Sequence, residues 1–176
     1  MPSPASSPNP SNPPAAPRSR SGSWLIPVYP EEASTPVSFK ADKPSVLFVC
    51  VKNGGKSQMA AGLMDKVAGG SVSTASAGSK PGSAVNALSA EVLAEVGGDI
   101  SQNVPRQITV EDQSQADVVV ILGAEAQVDE VEGTLYERWE TDEPSERGID
   151  GIERMRLVRD DILERVTTLH ATLTTR

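Results

Sequence analysis

The sequence predicts an α/β fold: an open four-stranded parallel sheet with helices on both faces. Three observations lead there. Two runs, Val46-Leu47-Phe48-Val49 and Val118-Val119-Val120-Ile121-Leu122, are apolar without a break and mostly β-branched. A strand with one wet face alternates polar and apolar residues, whereas a strand covered on both faces does not. Strand-like runs also take turns with helical spacing along the chain, the order produced when each parallel strand returns through a crossover helix. Finally, a segment rich in glycine and lysine follows the first run directly, and ligands of such sheets sit at the carboxyl ends of strands.

The 176 residues divide by composition. Residues 1–44 hold 11 of the 14 prolines, many serines, and no apolar run longer than Trp24-Leu25-Ile26. Such a segment cannot bury enough apolar area to offset its ordering entropy. Residues 1–43 are therefore read as a disordered leader and residues 44–176 as one domain, long enough for a proper core. Trp24 to Ile26 is too short for a signal-peptide core, and no stretch approaches the roughly 18 to 20 apolar residues of a membrane span. A cytoplasmic protein with no membrane contact is expected.

Within the domain, Pro44 precedes the first strand, Val46 to Val49. Cys50-Val51-Lys52-Asn53-Gly54-Gly55-Lys56-Ser57 holds too many small residues for regular structure. From Ser57, a residue suited to an N-cap, Met59, Leu63, Met64 and Val67 follow at helical spacing until Gly69-Gly70. Val72 to Ala77 alternates as a second strand, with a turn at Gly78 to Gly82. Val85, Leu88, Val92, Leu93 and Val96 line a second helix stopped by Gly97-Gly98. Asp117 to Leu122 is the strongest strand, and Leu135 to Trp139 a short fourth one. Ile152 to Leu173 is the longest helix, with Ile152, Met155, Val158, Ile162, Val166 and Leu169 on its apolar stripe.

Charge and cysteine content exclude several function classes. The net charge is -8, and residues 44–176 carry 12 Lys/Arg against 21 Asp/Glu, whereas a nucleic-acid surface needs a basic face. One cysteine, Cys50, rules out an internal disulfide and a multi-cysteine metal cage. No bound metal or cofactor is expected. The single histidine, His170, is read as a half-buried helix residue rather than a catalytic base.

The octet Cys50 to Ser57 carries the chemistry. Successive backbone N–H groups in a strand-to-helix loop converge into an anion nest with the helix dipole behind it. The nest is assigned to Val51, Lys52, Asn53, Gly54, Gly55, Lys56 and Ser57, with Gly54 and Gly55 permitting positive φ and a close approach of backbone to ligand. Lys52 and Lys56 add positive charge. Cys50 would lie as a thiolate beneath a bound tetrahedral oxyanion, poised for in-line attack on its central atom. A small hydrophobe ending a buried strand is the plainer account of a lone cysteine, but it gives no reason for two glycines and two lysines beside it.

The segment Val46 to Ala60 resembles the opening of arsenate reductases related to the low-molecular-weight tyrosine phosphatases. Cys50, Asn53 and Ser57 match that family's loop; Ser76-Ala77-Gly78, Asp99-Ile100-Ser101 and the acidic stretch Trp139 to Pro144 resemble its later motifs. The resemblance implies the phosphatase fold, with arsenate as substrate. It is strongest to the single-cysteine actinobacterial type that joins arsenate to mycothiol, with a mycoredoxin or glutaredoxin-like reductase as partner. It also implies a general acid in the acidic loop, either Asp142 or Glu143, a loop-shaping bond from Asn53, a Ser57 bond to Cys50, and support from Ser76. Two departures stand out. Lys56 replaces the family's loop arginine, exchanging a planar fork for a point charge. No second cysteine exists to resolve an adduct on Cys50, so an external low-molecular-weight thiol is required.

Three other functions are weighed against this one. A phosphatase acting on phosphotyrosine or small phosphate esters would use the same loop, but Ser145, Glu146 and Arg147 follow Pro144 where tyrosines line the site of such enzymes. Gly55-Lys56-Ser57 ends like a nucleotide-binding phosphate loop, yet position 50 is Cys and Gly123 follows the long strand. A non-catalytic oxyanion-binding module is the remaining alternative.

Overall fold

A computed structural model of the chain describes residues 37–175. The leader expected over residues 1–43 lies mostly outside them. Of its last residues, Val37 donates its N–H to Asp112 Oδ1 at 3.0 Å, and Phe39 packs against the smaller of two apolar clusters.

Four strands, β1 (Ser45–Cys50), β2 (Ser73–Gly78), β3 (Val118–Leu122) and β4 (Leu135–Trp139), form one parallel sheet in the order β2-β1-β3-β4. The two unbroken apolar runs are the two inner strands, buried at every position. β4 lies at the edge, which is why its pattern shows only Trp139 buried. Helices α1 (Lys56–Ala68), α2 (Ala87–Ala94) and α4 (Gly151–Thr174) enclose the larger cluster with Val46, Phe48, Val120 and Trp139. The other face, built on Leu47, Val49, Val119 and Ile121, is covered by Phe39, Ile108, Ala126, Val128 and the end of the short helix α3 (Val110–Gln115).

Each helix has a local reason to form. α1 is rich in Met, Ala and Leu and stops at Gly69, which has φ 55° and returns its N–H to Asp65. α3 escapes a search for apolar periodicity because it buries Asp112 and Gln113 instead. Its signal is the capping box in which Thr109 and Asp112 bond each other's backbone N–H. α4 buries Val158, Ile162, Val166, Leu169 and Leu173, each stabilising the fold by roughly 1.5 to 3 kcal/mol.

The topology places the site. From β1 the chain goes to β2 on one side, then crosses to β3 on the other, so the order reverses at the carboxyl ends of β1 and β3. Crevices in open α/β sheets form at such a switch point. Cys50 ends β1 there.

Candidate active site

Residues 51–55 turn back from β1 with their carbonyls pointed away from the centre of the loop. The carbonyls of Cys50, Val51, Lys52 and Gly54 accept from the N–H groups of Ser79, Lys80, Gly82 and Asn86 at 3.1, 2.9, 2.9 and 2.6 Å. Among the described residues no backbone N–H of 51–57 donates to another backbone carbonyl. The first turn of a helix leaves its N–H groups free as well, and that of α1 continues the loop. The result is a run of free donors backed by a helix dipole, the physical basis of an anion site.

The loop owes its shape to Asn53. It is fully buried with φ 50°, the one non-glycine residue described with positive φ. Its Nδ2 donates to Ser57 Oγ at 2.7 Å, while its Oδ1 accepts from the Arg106 N–H at 3.1 Å. Gln58 Nε2 donates to the Asn53 carbonyl at 3.2 Å, and Gln58 in turn accepts from Asn103 Nδ2 at 2.9 Å. Gly54 and Gly55, which permit positive φ, do not adopt it. These glycines are small because of close packing: a Cβ on Gly54 would stand 3.1 Å from the Ala84 carbonyl. Gly78 is under tighter constraint, for its Cβ would meet Val51 O at 2.7 Å.

Cys50 is 8% exposed, and its Sγ lies 3.0 Å from Ser57 Oγ. That contact corrects the N-cap assignment: Gly55 occupies the cap position, and the Ser57 side chain turns inward to the thiol. Ser57 is thereby held between Asn53 and Cys50. Ser76 sits half-buried opposite Phe48, two residues short of the loop. The part of β2 against the back of the loop is Gly78.

The acidic loop after β4 is carried to the site by pairing of Leu122 with Trp139 and by the Phe48–Trp139 ring contact, centroids 5.9 Å apart. α4 fastens it, since Asp161 accepts the Asp142 N–H at 2.9 Å and Arg165 donates to the Glu140 carbonyl at 2.8 Å. Glu143 then meets the loop directly, with Oε1 accepting from Lys56 Nζ and Oε2 from Arg154 Nη2 at 3.1 Å. Burial pushes the Glu143 carboxyl up, but its bonds to Lys56 and Arg154 outweigh that and hold it below the usual glutamate range. Asp142 faces elsewhere. Both of its oxygens accept from Arg147, at 2.7 and 2.9 Å, and that pairing lowers its carboxyl too.

Two clefts flank Lys56. One, of about 410 Å³, runs between Gly54, Gly55, the 82–86 segment and Arg154. The other, of about 660 Å³, is bounded by Gly123 to Glu125 and Glu140 to Glu143. Lys52 lines the first and is exposed. Among the described residues no group of three or more His, Cys, Asp or Glu is placed to hold a metal ion. No described helix is long and apolar enough to cross a membrane.

A family model for low molecular weight phosphotyrosine protein phosphatases matches residues 45–176. The chain belongs to this family. A relative in Halobacterium salinarum, named as a candidate arsenate reductase, is 30% identical over 127 residues, covering 69% of this chain and 87% of that one. The glutaredoxin arsenate reductase of Synechocystis is 31% identical, over 72% of this chain and 95% of the relative. Among solved structures, the thioredoxin-dependent arsenate reductase of Corynebacterium glutamicum aligns with a TM-score of 0.64 and 31% identity, covering 82% of this chain and 65% of that chain's length.

Several side chains of this phosphatase-family site have no signal in sequence. Gln58, Asn103 and Arg106 shape the loop only through contacts with Asn53 or with each other. Asp161 and Arg165 look like ordinary charges on a helix surface. Arg154 lies 11 residues beyond the acid it bonds, on an element whose docking no local pattern discloses.

Proposed function

We propose that this protein is an arsenate reductase that binds arsenate in the loop 50–57 and joins it to an external low-molecular-weight thiol, with mycothiol the assigned thiol. One observation carries the reading: a lone buried thiol lies at the start of a ring of free N–H donors, with Lys56 and Glu143 at the mouth. The arsenate reductase relatives support the substrate. Mycothiol follows from the resemblance of the Cys50 segment to the single-cysteine actinobacterial enzymes.

The chemistry balances as follows. The Cys50 thiolate attacks arsenic, a Cys50 S–As bond forms, and an As–O bond breaks with its oxygen leaving as water after taking up protons. Arsenic stays pentavalent in this step. The mycothiol thiolate next attacks arsenic, forming a mycothiol S–As bond as the Cys50 S–As bond breaks, which frees the Cys50 thiolate and leaves arsenic pentavalent. Attack of a partner thiol on the mycothiol sulfur then forms a mixed disulfide and breaks the S–As bond, releasing arsenite as two electrons pass from sulfur to arsenic. Cys50 is the thiolate beneath the anion, and Ser57 stabilises its charge. Glu143, facing Lys56, is assigned the proton delivery to the leaving oxygen, because Asp142 is committed to Arg147. A glutaredoxin-like or mycoredoxin partner performs the last attack. Thioredoxin acts on a disulfide, and the single sulfur of this chain offers none.

The test is arsenate turnover with mycothiol, glutathione or thioredoxin supplied separately, alongside Cys50→Ser. Turnover with mycothiol and a mycoredoxin, lost by at least about 10³-fold in Cys50→Ser as for other removed nucleophiles, is the expected result. Sustained turnover with thioredoxin as sole reductant sinks the external-thiol reading. A second reading, hydrolysis of phosphate esters, has family membership in its favour. Phosphotyrosine is the weaker substrate for it, since no aromatic side chain among the described residues lines either cleft beside the loop.

A further inference from the structure

Arg154 stands in the first turn of α4 and lines the same cleft as Gly54, Gly55 and Lys56. Glu143 bridges it to Lys56, using one oxygen for each cation. The Nε of Arg154 is buried and has no hydrogen-bond partner among the described residues. A guanidinium N–H withdrawn from water without an acceptor is costly, and such an atom calls for an explanation. Position 56 meanwhile presents an ammonium, which attracts an oxyanion as a point charge and leaves planar, two-pronged recognition unsupplied.

We propose that Arg154 is an oxyanion ligand, supplying from α4 the guanidinium fork that the loop lacks and exchanging Glu143 for the anion when one binds. The proposal rests on reading residues 50–57 as an oxyanion loop. Its consequence reaches Glu143. In the free protein two cations hold that carboxylate in place. Once they turn to an anion, Glu143 loses its partners and gains a negative neighbour, and both changes favour its protonated form. Anion binding thereby loads the proton that the acid must later give up.

Inorganic phosphate is the probe, titrated calorimetrically into the full chain. Arg154→Gln should weaken phosphate binding about tenfold, the loss of one charge-assisted bond, with Arg154→Lys in between. Glu143→Gln should tighten binding by freeing both cations, and Arg154→Gln should still weaken it in that background. Wild-type binding should take up a proton, read from titrations in two buffers of different ionisation enthalpy, and Glu143→Gln should abolish that uptake. Phosphate affinity within twofold of wild type in Arg154→Gln overturns the proposal. So does a loss confined to proteins that retain Glu143, because Arg154 would then act only by holding the acid. Arg154→Lys keeps a cation for Glu143, so a folded Arg154→Lys protein with weakened binding separates ligation from simple support. A wild-type protein that binds no phosphate overturns the loop reading itself, an outcome distinct from either of these.

Discussion

At position 56 the loop carries an ammonium that reaches Glu143, where an arginine would grip two equatorial oxygens of a transferring group at once. Lys56→Arg should therefore raise hydrolysis of an aryl phosphate by roughly tenfold in kcat/KM, the scale of one well-placed donor. Arsenate turnover should change by less, because in the proposed mechanism the external thiol carries much of that reaction. Parallel assays of the two activities check this, and equal effects on both would argue against the division. The gain should be larger in an Arg154→Gln background, where no other guanidinium serves the anion. Cys50, Asn53 and Ser57 are singled out as candidate site residues by their order alone. Their geometry is less so: the positive φ falls on Asn53 rather than on either loop glycine, and Ser57 faces the thiol rather than capping α1. The choice between Asp142 and Glu143 was equally out of reach of the sequence, since adjacent carboxylates differ only in which partners surround them.

α2 and α4 are stapled by charges beyond their shared core. Glu95 accepts from Arg156 at 2.7 Å and from Arg159 at 2.8 Å, and Arg159 also donates to the Val92 carbonyl at 2.9 Å. The hydrogen bonds of Arg156 and then Arg159 bring the Glu95 carboxyl down to about 2. A carboxyl whose pKa is lower folded than unfolded adds stability above its unfolded value, near 4.5, and loses it as pH falls through the folded value. Glu95→Gln should accordingly lower the melting temperature by a few degrees at pH 7, since exposed pairs contribute modestly. The deficit relative to wild type should shrink as pH drops from about 5 toward 2. Thermal melts across that range check it, and a deficit independent of pH would show that Glu95 acts through packing. α4 was legible from its apolar stripe, whereas α3 was not, because a capped six-residue helix that buries Asp112 has no apolar period to detect.

For the chain as a whole, the boundary of the folded part is the testable quantity. Removing residues 1–36 should leave the melting temperature nearly unchanged, given their proline- and serine-rich composition. Extending the deletion through residue 40 should lower it, because Phe39 leaves the second apolar cluster and Val37 no longer donates to Asp112. Comparative melts of the two truncations decide the matter, and identical curves would show that this segment contributes nothing to the core.

The sequence by itself determined the class of fold, the inner strands and the place of the cysteine-centred loop, and its count of one cysteine is what the proposed external thiol rests on. These follow from local pattern and from counting: unbroken apolar runs must be covered on both faces, and one cysteine cannot form a disulfide within its chain. Only the tertiary structure decided the strand order, the acid that meets the loop, and the presence of Arg154 beside it. Lys56 and Glu143 are 87 residues apart. They meet because β4 pairs with β3 and α4 packs on the same face as α1. Contacts of that kind are set by how elements dock, and a polar residue waiting for a distant partner carries no periodic signature along the chain.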